Sequence, residues 1–75
     1  MKQDCDAIGL LCPLPVLRAR KRLSALAAGD ILVLQTDDPA AIIDVPHFCQ
    51  EAGHTLLDQQ ESEGGVMIWQ IQKAD

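Results

Sequence analysis

Cys12-Pro13-Leu14-Pro15-Val16-Leu17-Arg18-Ala19-Arg20-Lys21-Arg22-Leu23-Ser24-Ala25-Leu26-Ala27-Ala28-Gly29 is punctuated as a helix at both ends. Pro13 suits the first helical position, where a missing N–H costs nothing. Pro15 also falls in the first turn, whose amides have no partners inside the helix. Cys12 is then the N-cap residue, and Gly29 closes the helix as a C-terminal glycine cap. Between them Val16, Ala19, Leu23, Leu26 and Ala27 recur at three- and four-residue intervals and form an apolar stripe. Arg18, Lys21 and Arg22 fall mostly off it.

Upstream, residues 4–8 read as a short first strand that Gly9 ends. Downstream, residues 31–35 are short and continuously apolar, bounded by Asp30 and Thr36, as in a buried strand. Asp37-Asp38-Pro39 is a helix start, with Asp38 as cap and Pro39 at the first position. Pro46 cannot donate to residue 42, so the pattern predicts a break or kink there. Asp44 would then cap a second segment over residues 45–52, closed by Gly53. Residues 54–61 and 66–73 read as strands joined by the turn Ser62-Glu63-Gly64-Gly65. The last is apolar on both faces and belongs in the centre of a sheet. The strand from His54 is more polar and suits an edge. The order is β-α-β-α-β-β, and right-handed crossovers put both helices on one face of a four-stranded mixed sheet. The expected fold is an α/β two-layer sandwich.

The chain has 75 residues, of which 48% are hydrophobic, which suits one domain over residues 1–75 with a modest core. No apolar run approaches the ~18 residues of a membrane span. Met1-Lys2-Gln3-Asp4 lacks the apolar core of a signal peptide, and the expected location is the cytoplasm. Three cysteines, at positions 5, 12 and 49, form neither a CxxC nor a repeated metal-ligand spacing. A disulfide scaffold and a metal site are therefore not expected. Net charge is −5, yet four of the six basic residues are Arg18, Arg20, Lys21 and Arg22. An acidic body with one basic segment does not suit direct nucleic-acid binding. It does suit protein docking through that segment.

Cys12 carries the chemical interest. A helix N-terminus stabilises an anion, and a thiolate is one, so its pKa is expected below the ~8.5 of a free cysteine. Pro13 and Pro15 remove two nearby amides and leave the Leu14 N–H as the expected donor to sulfur. The Val16 N–H would close the first helical bond to the Cys12 carbonyl. A buried structural cysteine that happens to precede a helix is the competing reading.

Asp6-Ala7-Ile8-Gly9-Leu10-Leu11-Cys12-Pro13-Leu14-Pro15-Val16 resembles the D-x-x-G-x-x-C-P-x-P-V pattern of the TusA/SirA-like sulfur carrier proteins. The similarity continues through Gly29-Asp30, Asp37-Asp38-Pro39-Ala40, Asp44-Val45-Pro46, Phe48-Cys49 and His54. The resemblance implies the same sandwich with strand order 1-2-4-3. It implies that Cys12 accepts sulfane sulfur as a persulfide from a cysteine desulfurase or rhodanese-like donor and passes it to an acceptor protein. Family end uses are 2-thiouridine in tRNA, sulfur oxidation and molybdenum-cofactor synthesis. Such a protein is a carrier rather than a turnover enzyme and needs no cofactor. Leu11 stands where the best-known branch has a base, Leu14 where it has an acid, and His47 where it has a glycine. These departures make the rim around Cys12 more apolar and bear on partner choice.

Asp6 and Gly9 are expected to shape the loop before Cys12, and Asp37, Asp38 and Asp44 to cap helices. A second thiol near a persulfide would attack it and close a disulfide, which explains proline rather than cysteine at position 15. Cys5 and Cys49 are read as core filling, with a secondary sulfur site as the alternative. His47 and His54 suit surface or capping roles, and Trp69 a core anchor. Arg18, Lys21 and Arg22 are either a solvated helix face or a docking surface for donor or acceptor. Two other functions remain open: a non-catalytic adaptor with Cys12 incidental, and a monothiol redox sensor.

Overall fold

Alternation within the strands decides which residues enter the core. The computed structural model describes residues 1–74 and runs β1 (Lys2–Asp6), α1 (Leu14–Ser24), β2 (Ile31–Thr36), α2 (Ala41–Ala52), β3 (Thr55–Glu61), a 3₁₀ turn (Glu63–Gly65) and β4 (Met67–Gln72). Strand order is β1-β2-β4-β3, with β1 parallel to β2 and β4 antiparallel to both its neighbours. The α/β sandwich expected from sequence is present, with β4 central and β3 at an edge. No helix among the described residues is long and apolar enough to cross a membrane.

Leu32, Leu34 and Thr36 of β2 point one way and are buried, while Gln35 between them is exposed. The register sets Leu34 opposite Trp69 and Leu32 opposite Ile71, with Cys5 beside Leu34 on the parallel strand. On this face α1 packs Ala19 and Leu23, and α2 packs Ala41, Val45, Phe48 and Cys49. The α2 set has the spacing of one helical stripe. Cys5, Cys49 and Trp69 thus fill the core as expected. Thr36, the one polar side chain buried among the described residues outside the cysteines and Trp69, accepts a 2.9 Å hydrogen bond from the Trp69 indole N–H.

Three boundaries differ from the sequence reading. Strand β1 covers residues 2–6 rather than 4–8, because Asp4 and Asp6 sit on its exposed side while Cys5 turns inward. Helix α1 stops at Ser24, well before Gly29. The groups that would extend it are taken elsewhere: Lys73 Nζ donates to the Leu23 carbonyl at 2.7 Å, and the Ala27 N–H donates to Asp30 at 3.0 Å. Gly29, at φ +89°, instead joins the sheet end through its N–H to the Lys73 carbonyl. Helix α2 is one helix through Pro46, not two segments, and Asp44 lies inside it rather than capping a second start. The carbonyl that Pro46 leaves without a donor belongs to Ile42, which is 53% exposed, so water reaches that side of the helix. Gly53 closes α2 in the left-handed region, as the sequence predicts.

Replacing Thr36 with Val keeps the shape and removes the acceptor of the indole N–H. A buried donor left unpaired costs about 1–3 kcal/mol. Urea unfolding followed by Trp69 fluorescence is expected to give a Thr36→Val midpoint lowered accordingly; an unchanged midpoint would mean that the bond contributes nothing.

Candidate functional site

The loop between β1 and α1 is held by backbone amides donating to fixed acceptors. Ala7 N–H extends the parallel ladder to the Gln35 carbonyl at 2.9 Å. Ile8 N–H donates to the Asp6 carboxylate at 2.9 Å, so Asp6 braces the loop as expected. Gly9 has φ +83°, which favours glycine, and its N–H donates to Asp37 at 2.9 Å. The Cys12 N–H donates to Asp38 Oδ2 at 2.7 Å. Asp37 and Asp38 follow directly on β2, so the sheet itself fixes the loop.

Their role departs from helix capping. Asp38 does also accept from Ala40 N–H at 3.3 Å, but the α2 N-cap is Ala40. The sequence signal is two adjacent acids at the end of a strand that pairs in parallel with the strand leading to the loop. Each is then placed to meet an amide that continues from its neighbour.

Cys12 is not the N-cap of α1. Pro13 holds that position, and the Cys12–Pro13 peptide bond is cis. Leu14 N–H donates to the Leu11 carbonyl at 2.8 Å, and the first helical bond runs from Leu17 N–H to the Pro13 carbonyl at 3.1 Å. Cys12 and Pro13 are therefore the middle of a separate turn. The Leu14 amide is spent inside it and is not free to bond the sulfur. Pro15 is buried within the first turn of α1, and Leu14 is 49% exposed beside it.

The electrostatics follow from this. The Cys12 thiol pKa lies above the ordinary cysteine value, opposite to the expected depression. Asp44 is the main cause, as acceptor of the thiol proton; desolvation follows, and then the negative charges of Asp44 and Asp38. The helix end does not lower the pKa because the Leu14 amide is occupied by the Leu11 carbonyl and carboxylates face the sulfur instead. The other two thiols are also raised, by burial: Cys5 upward against the opposing pull of Arg22 and Arg18, and Cys49 to about 11.

Two surface depressions flank α1. One, about 440 Å³, lies between α1 and α2 and has Cys12, Arg20, Asp44, His47, Phe48 and Glu51 among its walls. Arg20 sets its guanidinium 5.5 Å from the Phe48 ring centroid, and His47 pairs with Glu51 at 3.4 Å. His47 thus stands near the site without forming a Cys–His pair. The other depression joins Leu10, Leu14 and Leu17 to Arg18, Lys21 and Arg22. Arg18 also donates to the Asp6 carbonyl at 2.9 Å, so it steadies the loop. His54 is far from a thiol role: its Nδ1 accepts from Ala74 N–H at 3.0 Å, and burial, then Lys73, lowers its pKa.

Comparison with known proteins agrees with this geometry. Residues 3–73 match the family described as Sulfurtransferase TusA. The chain is 46% identical over 70 residues to the Sulfur carrier protein TusA of Pseudomonas entomophila (strain L48), covering 93% of this chain and 88% of that protein. It is 40% identical over 72 residues to the Sulfur carrier protein TusA of Allochromatium vinosum, covering 96% and 93%. In three dimensions it is similar to the crystal structure of the SirA-like protein from Desulfitobacterium hafniense, with a TM-score of 0.84, 28% identity and full coverage of both chains. The strand order, the Cys-Pro-x-Pro turn and these matches have one common meaning: the chain belongs to the sulfurtransferase TusA family.

Proposed function

We propose that the protein is a sulfur carrier that takes sulfane sulfur as a persulfide on Cys12 and relays it between partner proteins. The donor is a cysteine desulfurase or a rhodanese-like protein, and the acceptor presents a thiol. The observation that carries this reading is the division among the thiols. Cys12 is exposed on a pinned loop, whereas Cys5 and Cys49 are only 1% and 2% exposed. One thiol is offered to partners, and the other two are withheld from it.

The loading step balances without an oxidant. The Cys12 thiol first loses its proton to solvent. The thiolate then attacks the outer sulfur of the donor persulfide, the donor S–S bond breaks, and the donor leaves as a thiolate. The outer sulfur, with its proton, is now on Cys12. Delivery reverses the roles: the acceptor thiolate attacks that outer sulfur, and Cys12 leaves and is reprotonated. The raised thiol pKa acts on both steps. A more basic thiolate is a stronger nucleophile but a poorer leaving group, so a loaded Cys12 holds its sulfur until an acceptor is aligned.

Arg18, Lys21 and Arg22, with Leu14 and Leu17 between them, suit docking of an acidic partner surface with an apolar centre. Leu11, 69% exposed, extends the apolar rim to the reactive turn.

Incubation with a cysteine desulfurase and cysteine, followed by mass mapping without reductant, should find the added sulfur on Cys12. Cys12→Ser should carry none, and sulfur retained on Cys5 or Cys49 in that variant would overturn the assignment. An adaptor would instead keep its function in Cys12→Ser.

Asp44→Asn removes the charge and weakens the acceptor that hold the thiol pKa up. The midpoint of the alkylation rate against pH should therefore move to lower pH, with faster alkylation at neutral pH. No movement, or movement upward, would show that Asp44 does not govern the thiol.

Lys21→Glu with Arg22→Glu should slow sulfur uptake from a protein donor at low ionic strength, and the deficit should shrink as salt rises. Arg18 is left in place because it also holds the loop. Equal rates at low salt, in uptake and in delivery, would make these residues a solvated face only.

A further inference from the structure

The groove between α1 and α2 has a feature that the relay between proteins leaves unused. Arg20 is exposed, lies against the face of Phe48, and has no carboxylate within ion-pair distance among the described residues. Its basic neighbours Arg18, Lys21 and Arg22 open on the other depression, so Arg20 is the lone arginine or lysine in a groove that begins at the reactive sulfur. An aromatic face beneath a guanidinium holds it flat and leaves its N–H edge free for a carboxylate. The remaining charges, Asp44 near the sulfur and Glu51 paired with His47, are negative and suit amide or ammonium groups.

The dimensions select among ligands. Leu14 to Arg20 spans about 9 Å of helix, and helical side chains lean toward the N-terminus. The guanidinium sits over the Phe48 ring, in the groove that Cys12 also lines. A lone cysteine is too short to bridge that distance with its own carboxylate. A thiol flanked by one residue on each side gains about 3.5 Å of reach per residue. The groove volume, about 440 Å³, lies within the range of small-molecule sites.

We infer that this groove binds a small peptide thiol of the glutathione class as its persulfide, with a terminal carboxylate on Arg20 and the outer sulfur at Cys12. The inference rests on the carrier reading and gives it a second, low-molecular-weight sulfur source. The chemistry is the same displacement. The Cys12 thiolate attacks the outer sulfur, the ligand's S–S bond breaks, and the ligand leaves as its thiolate and takes up a proton from solvent in place of the one that Cys12 released. Nothing is oxidised or reduced overall.

The experiment compares two persulfides on the full chain. Glutathione persulfide carries carboxylates; the persulfide of mercaptoethanol carries none. Intact mass without reductant follows Cys12 loading in the wild type, Arg20→Gln and Arg20→Lys, with a desulfurase donor in parallel. The rate ratio of glutathione persulfide to mercaptoethanol persulfide should fall about tenfold in Arg20→Gln, the size of one charge-assisted bond. Arg20→Lys should recover part of it. An unchanged ratio would overturn the inference. A loss confined to the desulfurase donor would also overturn it, by assigning the groove to a protein. If no source places sulfur on Cys12, the carrier reading itself fails, which the loading controls distinguish from failure at Arg20.

Discussion

The hydrogen bond from the Cys12 amide to Asp38, 2.7 Å long, fixes where the reactive sulfur stands. A carboxylate acceptor makes the bond stronger than a neutral one. Asp38 follows β2, a strand paired on both sides, so the loop inherits the rigidity of the sheet. With Asp37 on Gly9 and Asp6 on Ile8, three carboxylates hold three amides of one short loop. Asp44 from α2, and less strongly Asp38, set negative charge beside the thiol, so Cys12 stays protonated over a wider pH range.

Much of this was legible in the sequence because it rests on local rules. The buried strand from Ile31, the glycine cap at Gly53 and the Gly64-Gly65 turn follow from a continuous apolar run or from a backbone that favours glycine. Cys12 stood out because a cysteine before Pro-x-Pro is an unusual local pattern. What the sequence did not disclose depends on partners distant in the chain. Asp38 reaches across twenty-six positions to Cys12, and Lys73 reaches across fifty to the end of α1. Local propensity assigns such residues to caps, or to nothing. The direction of the thiol pKa is hidden for a related reason: a helix start predicts free amides, and only the tertiary structure reveals that the Leu14 amide is spent on Leu11 and that Asp44 approaches from another helix. Pro46 stands inside one continuous helix because the penalty of proline falls where the orphaned carbonyl lacks water, and Ile42 lies on the exposed side.

A persulfide is lost if a second thiol reaches it. Cys5 is buried in the sheet and Cys49 in α2, and burial raises both pKa values, Cys49 to about 11. Each is thus limited twice, by access and by the scarcity of its thiolate near neutral pH. In the proposed relay, packing that serves the core would therefore also protect a persulfide on Cys12.

The sheet has two outer strands, and each bears marks that discourage a stranger from joining it. β1 carries Lys2, Asp4 and Asp6 on exposed positions, and β3 carries Asp58 and Glu61 with a bulge between Leu56 and Asp58. A neighbouring chain that tried to extend the ladder would meet charge on one side and a broken register on the other. In the proposed relay, partner proteins would thereby be turned toward the helical layer, where Lys21 and Arg22 are exposed. For a small protein that must be released as readily as it is met, the defended margins of the sheet keep brief encounters from becoming permanent ones.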